Sequence, residues 1–139
     1  MTQILDRSAK VLREKAQPIA VRDIGTKKLN DIVHAMSAAL AKEDDGVALA
    51  APQIGHSLRL FIVSGKLFAR GAEKPGKDQV FINPTLVKLS RKKESMEEGC
   101  LSVRPLYGMV KRSNKATVRT LNEKGEKVER GGSGLLAQI

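Results

Sequence analysis

The chain has 139 residues, 41% hydrophobic and 29% charged, with 25 Lys and Arg against 15 Asp and Glu and a net charge of +10. This length suits one domain over residues 1–139 with a real core, and the composition excludes wholesale disorder. A single cysteine excludes an internal disulfide framework, and no apolar run reaches membrane-spanning length, so we expect a cytoplasmic protein with no membrane partner.

The positive charge attracts polyanions, of which RNA or a ribosome surface is the obvious example. The basic residues are spread along the chain, and no run of stacking aromatics accompanies them, since there is no Trp and one Tyr. This pattern favours a generally solvated basic surface over a dedicated nucleic-acid site. Several of the basic residues fall in the second half of the chain: Lys88, Arg91, Lys92, Lys93, Lys111, Arg112, Lys115 and Arg119.

An extended arm with one helical turn near residues 10–15 is predicted to precede the first helix. Thr26 can cap that helix, which is expected to run to about Ala41. Its apolar residues recur at helical spacing: Leu29, Ile32, Val33, Met36 and Leu40. His34 lies beside this stripe and is expected to be structural or exposed. Gly46 is expected to follow the helix in a left-handed turn.

The middle of the chain predicts strands broken by loops. Residues 58–63 form an apolar run typical of a buried strand, with exposed His56 in the turn before it. Residues 64–79 predict a polar loop with a short turn. A short strand at 80–82 and another at 85–89 are expected on either side of a break at Asn83.

The last third predicts less regular structure. An irregular passage is expected after Ser102, followed by a hairpin of strands at 116–121 and 126–129. Residues 130–134 are expected to be flexible. Ser133 is expected to cap a short apolar helix that begins the final segment.

Two stretches carry candidate chemistry. Residues 46–55 read Gly-Val-Ala-Leu-Ala-Ala-Pro-Gln-Ile-Gly, in which small residues permit close backbone approach and the Gln53 amide can donate to a carbonyl oxygen. By itself this stretch could equally be a tight turn leading into a strand. Residues 98–102 hold the only cysteine, Cys100. A free cysteine is more often a buried hydrophobe than a reactive thiolate.

In this order, with a strand–loop–strand block between them, the two stretches resemble the first two signature motifs of the peptide deformylases. The resemblance runs over nearly the whole chain. It implies an α+β fold with antiparallel or mixed β-sheets around helices. It also implies a metallohydrolase that removes the N-formyl group from the N-terminal methionine of nascent polypeptides, with Fe²⁺ or alternatively Zn²⁺ or Ni²⁺ as the catalytic metal.

The resemblance also implies roles for particular residues. Gln53 and the backbone N–H of Leu101 would stabilise the oxyanion, and Cys100 would be a metal ligand. Ala48 stands where the family motif usually has glycine, and would be strained if the backbone there needed a torsion that only glycine adopts cheaply. The implied substrate-binding residues are Gly46, Val47, Ala48, Met96, Glu98, Gly99, Leu135 and Ile139.

The third family signature, a helical His-Glu-x-x-His, does not occur in these residues. That motif supplies two imidazoles and a carboxylate, and a catalytic metal takes about three protein ligands. We therefore expect a catalytic helix cut short, no tightly held metal and no activity. The absence of the complete helix is expected to expose aliphatic residues such as Leu49, Leu60 and Ile62. The alternatives are a non-catalytic protein that binds a ribosome or formyl-peptide, and a metal site shared between two chains.

Overall fold

The computed structural model describes residues 2–68 and 76–139. The helices and strands of these residues are, in chain order, α1 Lys27–Ala41, β1 Ala48–Ala50, β2 Leu60–Val63, β3 Gln79–Leu89, β4 Lys93–Gly99, β5 Tyr107–Ser113, β6 Lys115–Leu121, β7 Lys127–Ser133 and α2 Leu135–Gln138. Short 3₁₀ helices lie at Lys10–Arg13, Val21–Asp23, Ala51–Ile54 and Gly65–Phe68. The fold is therefore α+β, as the sequence predicts.

Two sheets organise the chain. The larger has the strand order β1-β2-β3-β6-β7, and β4 pairs with β5 in a separate two-stranded sheet. All of these strand pairs are antiparallel, with one isolated parallel bridge between Gln17 and Leu58. The hairpin of β4 and β5 thus leaves the larger sheet between β3 and β6 and returns to it.

Helix α1 forms where its apolar stripe predicts, and its first turn is capped by the Thr26 hydroxyl, which accepts a hydrogen bond from the Leu29 N–H at 3.4 Å. Its stripe packs on one face of the larger sheet, where Met36 and Ile62 are fully buried. The expectation that Leu49, Leu60 and Ile62 would be exposed is wrong, because α1 already covers them: Leu49 is 1% exposed and Leu60 is 3% exposed.

The opposite face of the sheet is less completely covered. Phe61 and Phe81 stack on it with ring centroids 4.5 Å apart. They line a groove of about 110 Å³ together with Leu136 and Ile139, at the C-terminal end of the chain. Both of the latter residues remain 38% exposed, so the short α2 shields this face only in part.

Gly46 does not adopt the left-handed conformation expected of it. Glycine is favoured at this position for a steric reason, since a Cβ would lie 2.9 Å from Leu40 Cδ1 and 3.0 Å from Glu43 Cβ. Gly55 is the glycine of the first motif that has a positive φ, +91°, where the 3₁₀ helix Ala51–Ile54 ends.

Several strand predictions were wrong in extent. Strand β3 is continuous through Asn83, which takes a φ of 51° beside a register shift in place of a break. The irregular passage after Ser102 contains β5. Residues 130–133, expected to be flexible, belong to β7, so Gly134 and not Ser133 precedes α2. Part of the loop predicted at 64–79 lies outside the described residues.

None of the described helices is long and apolar enough to cross a membrane.

Truncating Met36 to Ala is expected to lower the free energy of unfolding by about 2–5 kcal/mol, because the smaller side chain leaves a cavity beneath α1. The same truncation at Met109, which is 69% exposed, is expected to change it by less than about 0.5 kcal/mol. Urea unfolding followed by circular dichroism measures both. Equal losses for the two variants would contradict the placement of the core.

Candidate functional site

A cleft of about 470 Å³ lies between the start of β1, the end of β4 and α2. Of the site residues named from the sequence, ten line it: Gly46, Val47, Ala48, Gln53, Glu98, Gly99, Cys100, Leu101, Leu135 and Ile139. Met96 is the exception, since it lies farther along β4, half-buried opposite Val110, and does not line the cleft. The two sequence motifs therefore meet across one cavity.

Gln53 is held in one orientation by its neighbours. Pro52 and Gly55 shape a single 3₁₀ turn after β1, which folds the Gln53 side chain back toward the strand. Its Oε1 accepts a hydrogen bond from the Ala50 N–H at 3.0 Å. Because a backbone N–H can only donate, the oxygen of the amide faces Ala50 and the NH₂ group faces the cleft.

The NH₂ group of Gln53 points at the second motif. Its Nε2 donates to Ser102 Oγ at 3.1 Å and lies 3.7 Å from Cys100 Sγ. The buried Ser102 hydroxyl was missed by the sequence reasoning, although it belongs to the quoted motif. These hydrogen bonds connect two turns that are almost fifty residues apart in the chain.

Cys100 follows the last residue of β4 and is exposed, so it is not the core hydrophobe that base rates favour. Its carbonyl accepts a hydrogen bond from the Val103 N–H at 2.9 Å, which closes a tight turn. Leu101 is half-buried against the hydrophobic core. The turn thus anchors one side chain in the core and presents the neighbouring thiol to the cleft.

The β4 wall of the cleft is held by an ion pair. Arg112 Nε and Nη2 donate to the two Glu98 oxygens at 2.6 and 3.0 Å. These hydrogen bonds hold the pKa of Glu98 below its usual range. Gln138 of α2 donates to the Glu97 carbonyl at 3.0 Å, so α2 is attached to the same wall.

At the end of this wall, Gly99 leaves room for the exposed ring of Tyr107. A Cβ there would lie 2.4 Å from Tyr107 Cε1, so any larger residue would displace the tyrosine ring from the strand opposite. The absence of a side chain also keeps this side of the cleft open.

The mouth of the cleft is spanned by a polar cluster that no sequence motif indicated. Arg104 donates to Asp45 and lies 3.1 Å from a Glu43 oxygen, and the Tyr107 hydroxyl donates to Asp45 at 3.3 Å. The hydrogen bond from Arg104 lowers the pKa of Asp45 and raises that of Arg104. The cluster joins the loop before β1 to the turn before β5. Its members are too far apart in sequence to be paired without the fold.

Ala48 is not strained. It lies in the regular β1 ladder opposite Val63, and its φ is not positive. The glycine-specific torsion considered for this position is therefore not required, and the methyl group lines the cleft.

The described residues do not fit a three-ligand metal centre. Residues 2–68 and 76–139 contain no group of three His, Cys, Asp or Glu side chains that could hold an ion. His34 and His56 are both exposed, and neither lines the cleft. Among the described residues that line the cleft, Cys100 supplies the one thiol, and none supplies an imidazole.

The chain is similar in sequence to known peptide deformylases. The chain is 43% identical over 120 residues to a peptide deformylase of Pseudothermotoga lettingae, covering 86% of this chain and 61% of the relative. It is 35% identical to peptide deformylase 2 of Clostridium acetobutylicum, covering 99% of this chain and 83% of the relative. The chain thus spans less than two thirds of the first of these relatives.

The fold is shared as well. A class I type b peptide deformylase from Acinetobacter baumannii, solved with a bound ligand, matches with a TM-score of 0.86 and 32% identity, covering 98% of this chain and 86% of that one. The family model described as Polypeptide deformylase matches residues 1–139. The chain therefore belongs to the polypeptide deformylase family.

Proposed function

We propose that this chain provides the substrate-side part of a deformylase site, which acts on the N-formyl group of the N-terminal methionine of nascent polypeptides. The observation that carries the proposal is the position of the Gln53 amide, 3.7 Å from Cys100 Sγ at the edge of the shared cleft. A cytoplasmic location and a nascent formyl-methionyl peptide as partner belong to the same proposal.

In this proposal, Gln53 and Leu101 act on the formyl oxygen. Amide hydrolysis places negative charge on that oxygen in the transition state, and preorganised N–H donors stabilise it. The Gln53 NH₂ group is fixed by the Ala50 N–H, so it needs little reorganisation as charge develops. The Leu101 N–H follows the Cys100 turn, whose conformation is held by the Val103 hydrogen bond.

The peptide itself would extend along β1. This strand is at the edge of the larger sheet, so one side of its backbone is available for pairing with an added strand. Val47 and Leu135 would contribute apolar contacts to the methionine side chain, because both line the cleft. The small side chain of Ala48 would leave the groove open enough for the peptide backbone to approach.

The metal-dependent step is not carried by these residues alone. In the family, a divalent metal such as Fe²⁺, Zn²⁺ or Ni²⁺ supplies an activated water, and Cys100 would be one of its ligands. Since no three His, Cys, Asp or Glu side chains of the described residues converge on an ion site, we propose that residues 1–139 hold no metal tightly and do not hydrolyse formyl-peptides on their own.

A second candidate function is formyl-peptide binding without hydrolysis. It is favoured by a cleft whose substrate-side wall is formed, with Gln53 oriented and Glu98 paired, although the metal ligands are incomplete. This candidate and the first share the peptide groove and differ in whether the bond is broken.

Supplied with Fe(II), Ni(II) or Zn(II), the 139-residue protein is expected to release no formate from N-formyl-Met-Ala-Ser above the rate of the metal alone. The physical reason is that one thiolate cannot hold an ion and lower the pKa of its water. A coupled formate assay measures this. Turnover comparable to that of the Acinetobacter relative would contradict the proposal.

Cobalt(II) titration is expected to show weak thiolate-to-metal absorption that disappears in a Cys100→Ser variant, with no stoichiometric ion left after dialysis. Cys100 is exposed, so the conservative substitution should leave the fold intact. Elemental analysis and circular dichroism check the two points. Retention of one ion per two chains would instead support a metal site shared between chains.

An Ala48→Leu variant is expected to weaken binding of N-formyl-Met-Ala-Ser by about tenfold or more, because the larger side chain enters the cleft, and tenfold corresponds to about 1.4 kcal/mol. The same substitution at Ala38, on the exposed side of α1, is the matched control and should leave binding unchanged. Calorimetric titration measures both variants. An equal affinity for the two would place the peptide elsewhere.

A further inference from the structure

The turn between β3 and β4 and the turn between β5 and β6 are tied together side by side. The Ser90 N–H donates to the Lys115 carbonyl at 3.0 Å, and the Asn114 N–H donates to the Lys92 carbonyl at 3.0 Å. The Ser90 hydroxyl adds an acceptor for the Lys115 N–H, also at 3.0 Å. Two segments more than twenty residues apart in sequence therefore present one continuous surface.

This surface is strongly basic, and we name it the basic junction. Its six cations are exposed, and none forms an ion pair with any acid among residues 2–68 and 76–139. They are Lys88, Arg91, Lys92, Lys93, Lys111 and Lys115. Strand pairing thus brings basic residues that are spread along the sequence into one cluster.

Two arginines in or near these segments are not counted in the junction because each forms an ion pair. Arg112 is paired with Glu98, and Arg119 is paired with Glu129. Within the two segments that build the junction, 88–94 and 111–115, Glu94 is the one acidic residue. Uncompensated charges on hydrogen-bonded turns act jointly where they lie within the screening length, which is about 8 Å at physiological salt. The basic junction is therefore a surface region of positive electrostatic potential.

The arrangement fits a polyanion better than a lipid surface. Lys88 is opposite Thr117, whereas the exposed Leu89 is opposite Ala116, so the lysine and the leucine project from opposite faces of the sheet. Binding to a membrane surface needs cations and apolar side chains on the same side. Strand β3 separates Lys88 from Leu89 in this way, whereas on β5 the exposed Met109 is on the same face as Lys111.

The basic junction lacks the features that recognise the bases of a nucleic acid. The single tyrosine, Tyr107, is opposite Gly99, at the other end of the β4–β5 hairpin from Lys93. With no aromatic ring in the junction on which a base could stack, recognition of splayed single strands is disfavoured. Fixed cations with neighbouring serine and asparagine side chains suit the sugar–phosphate backbone of a helix.

We propose that the basic junction binds the phosphate backbone of double-helical RNA, without reading its sequence. The choice of RNA rests on the proposed function, since a nascent-chain substrate is presented beside RNA. Six strand steps separate the junction end of β4 from its cleft end, or about 20 Å at the usual rise per residue. RNA held at the junction would leave the cleft free for a peptide.

The test is fluorescence anisotropy with a labelled 20-base-pair RNA duplex, between about 50 and 200 mM salt. A junction variant, Arg91→Gln with Lys92→Gln and Lys93→Gln, is expected to bind at least tenfold more weakly at low salt. Its slope of log affinity against log salt should be smaller by about 3, because each removed cation leaves one phosphate without its neutralising partner.

The matched control removes the same charge elsewhere: Lys28→Gln with Lys124→Gln and Lys127→Gln, all exposed and outside the junction. It should bind RNA nearly as the unmodified protein does. A second junction variant, Lys111→Gln with Lys115→Gln, changes the other segment and should also weaken binding. Equal weakening in junction and control variants would overturn the proposal, because net charge alone would then account for binding.

Binding to anionic lipid vesicles in preference to the duplex would also overturn it. Formyl-peptide binding is measured in parallel and should be unchanged in the junction variants, because none of the substituted residues lines the cleft. Loss of RNA binding with peptide binding retained supports the junction as the site. RNA binding with no peptide binding in the unmodified protein would count against the proposed function alone.

Discussion

The cleft depends on one side chain that joins two distant turns. The Gln53 amide accepts from the N–H of Ala50, the last residue of β1, and donates to Ser102, near Cys100. An amide has a donor end and an acceptor end, so using both fixes its rotation as well as its position. The thiol, the neighbouring N–H groups and the β1 edge therefore keep a constant geometry relative to one another, which is what an acyl-transfer or amide-binding site requires.

Charge is distributed in two distinct ways over the surface. Around the cleft, cations are matched to acids, as in the pairs of Arg112 with Glu98 and Arg104 with Asp45, so the walls are held without a large net field. At the basic junction the cations are left without such partners among the described residues, 2–68 and 76–139. The β4–β5 hairpin connects both regions, with the charge-paired cleft at one end and the basic junction at the other.

The two faces of the larger sheet are covered to different extents. Helix α1 buries one face, including Leu49 and Ile62, so a hydrophobic core exists within these residues. The other face carries the stacked Phe61 and Phe81 beneath the four-residue α2. A face covered so lightly can form a groove, but α2 brings no imidazole to the cleft, and the described part of the chain contains no group of three side chains that could hold a metal ion.

The sequence by itself determined α1 and the strand β6, because helical periodicity and strand alternation are local signals. The candidate cleft residues came from the resemblance of the two motifs to a family, and ten of them line one cavity. The sequence did not determine strand β5, because β5 is exposed along most of its length and so lacks the alternation of apolar and polar residues that marks a half-buried strand. Nor could it determine the Asp45–Arg104 pair or the basic junction, since each joins residues brought together by strand pairing alone. Such interactions are decided by the tertiary structure, because charge and hydrogen bonding act between neighbours in space, whatever their separation in the chain.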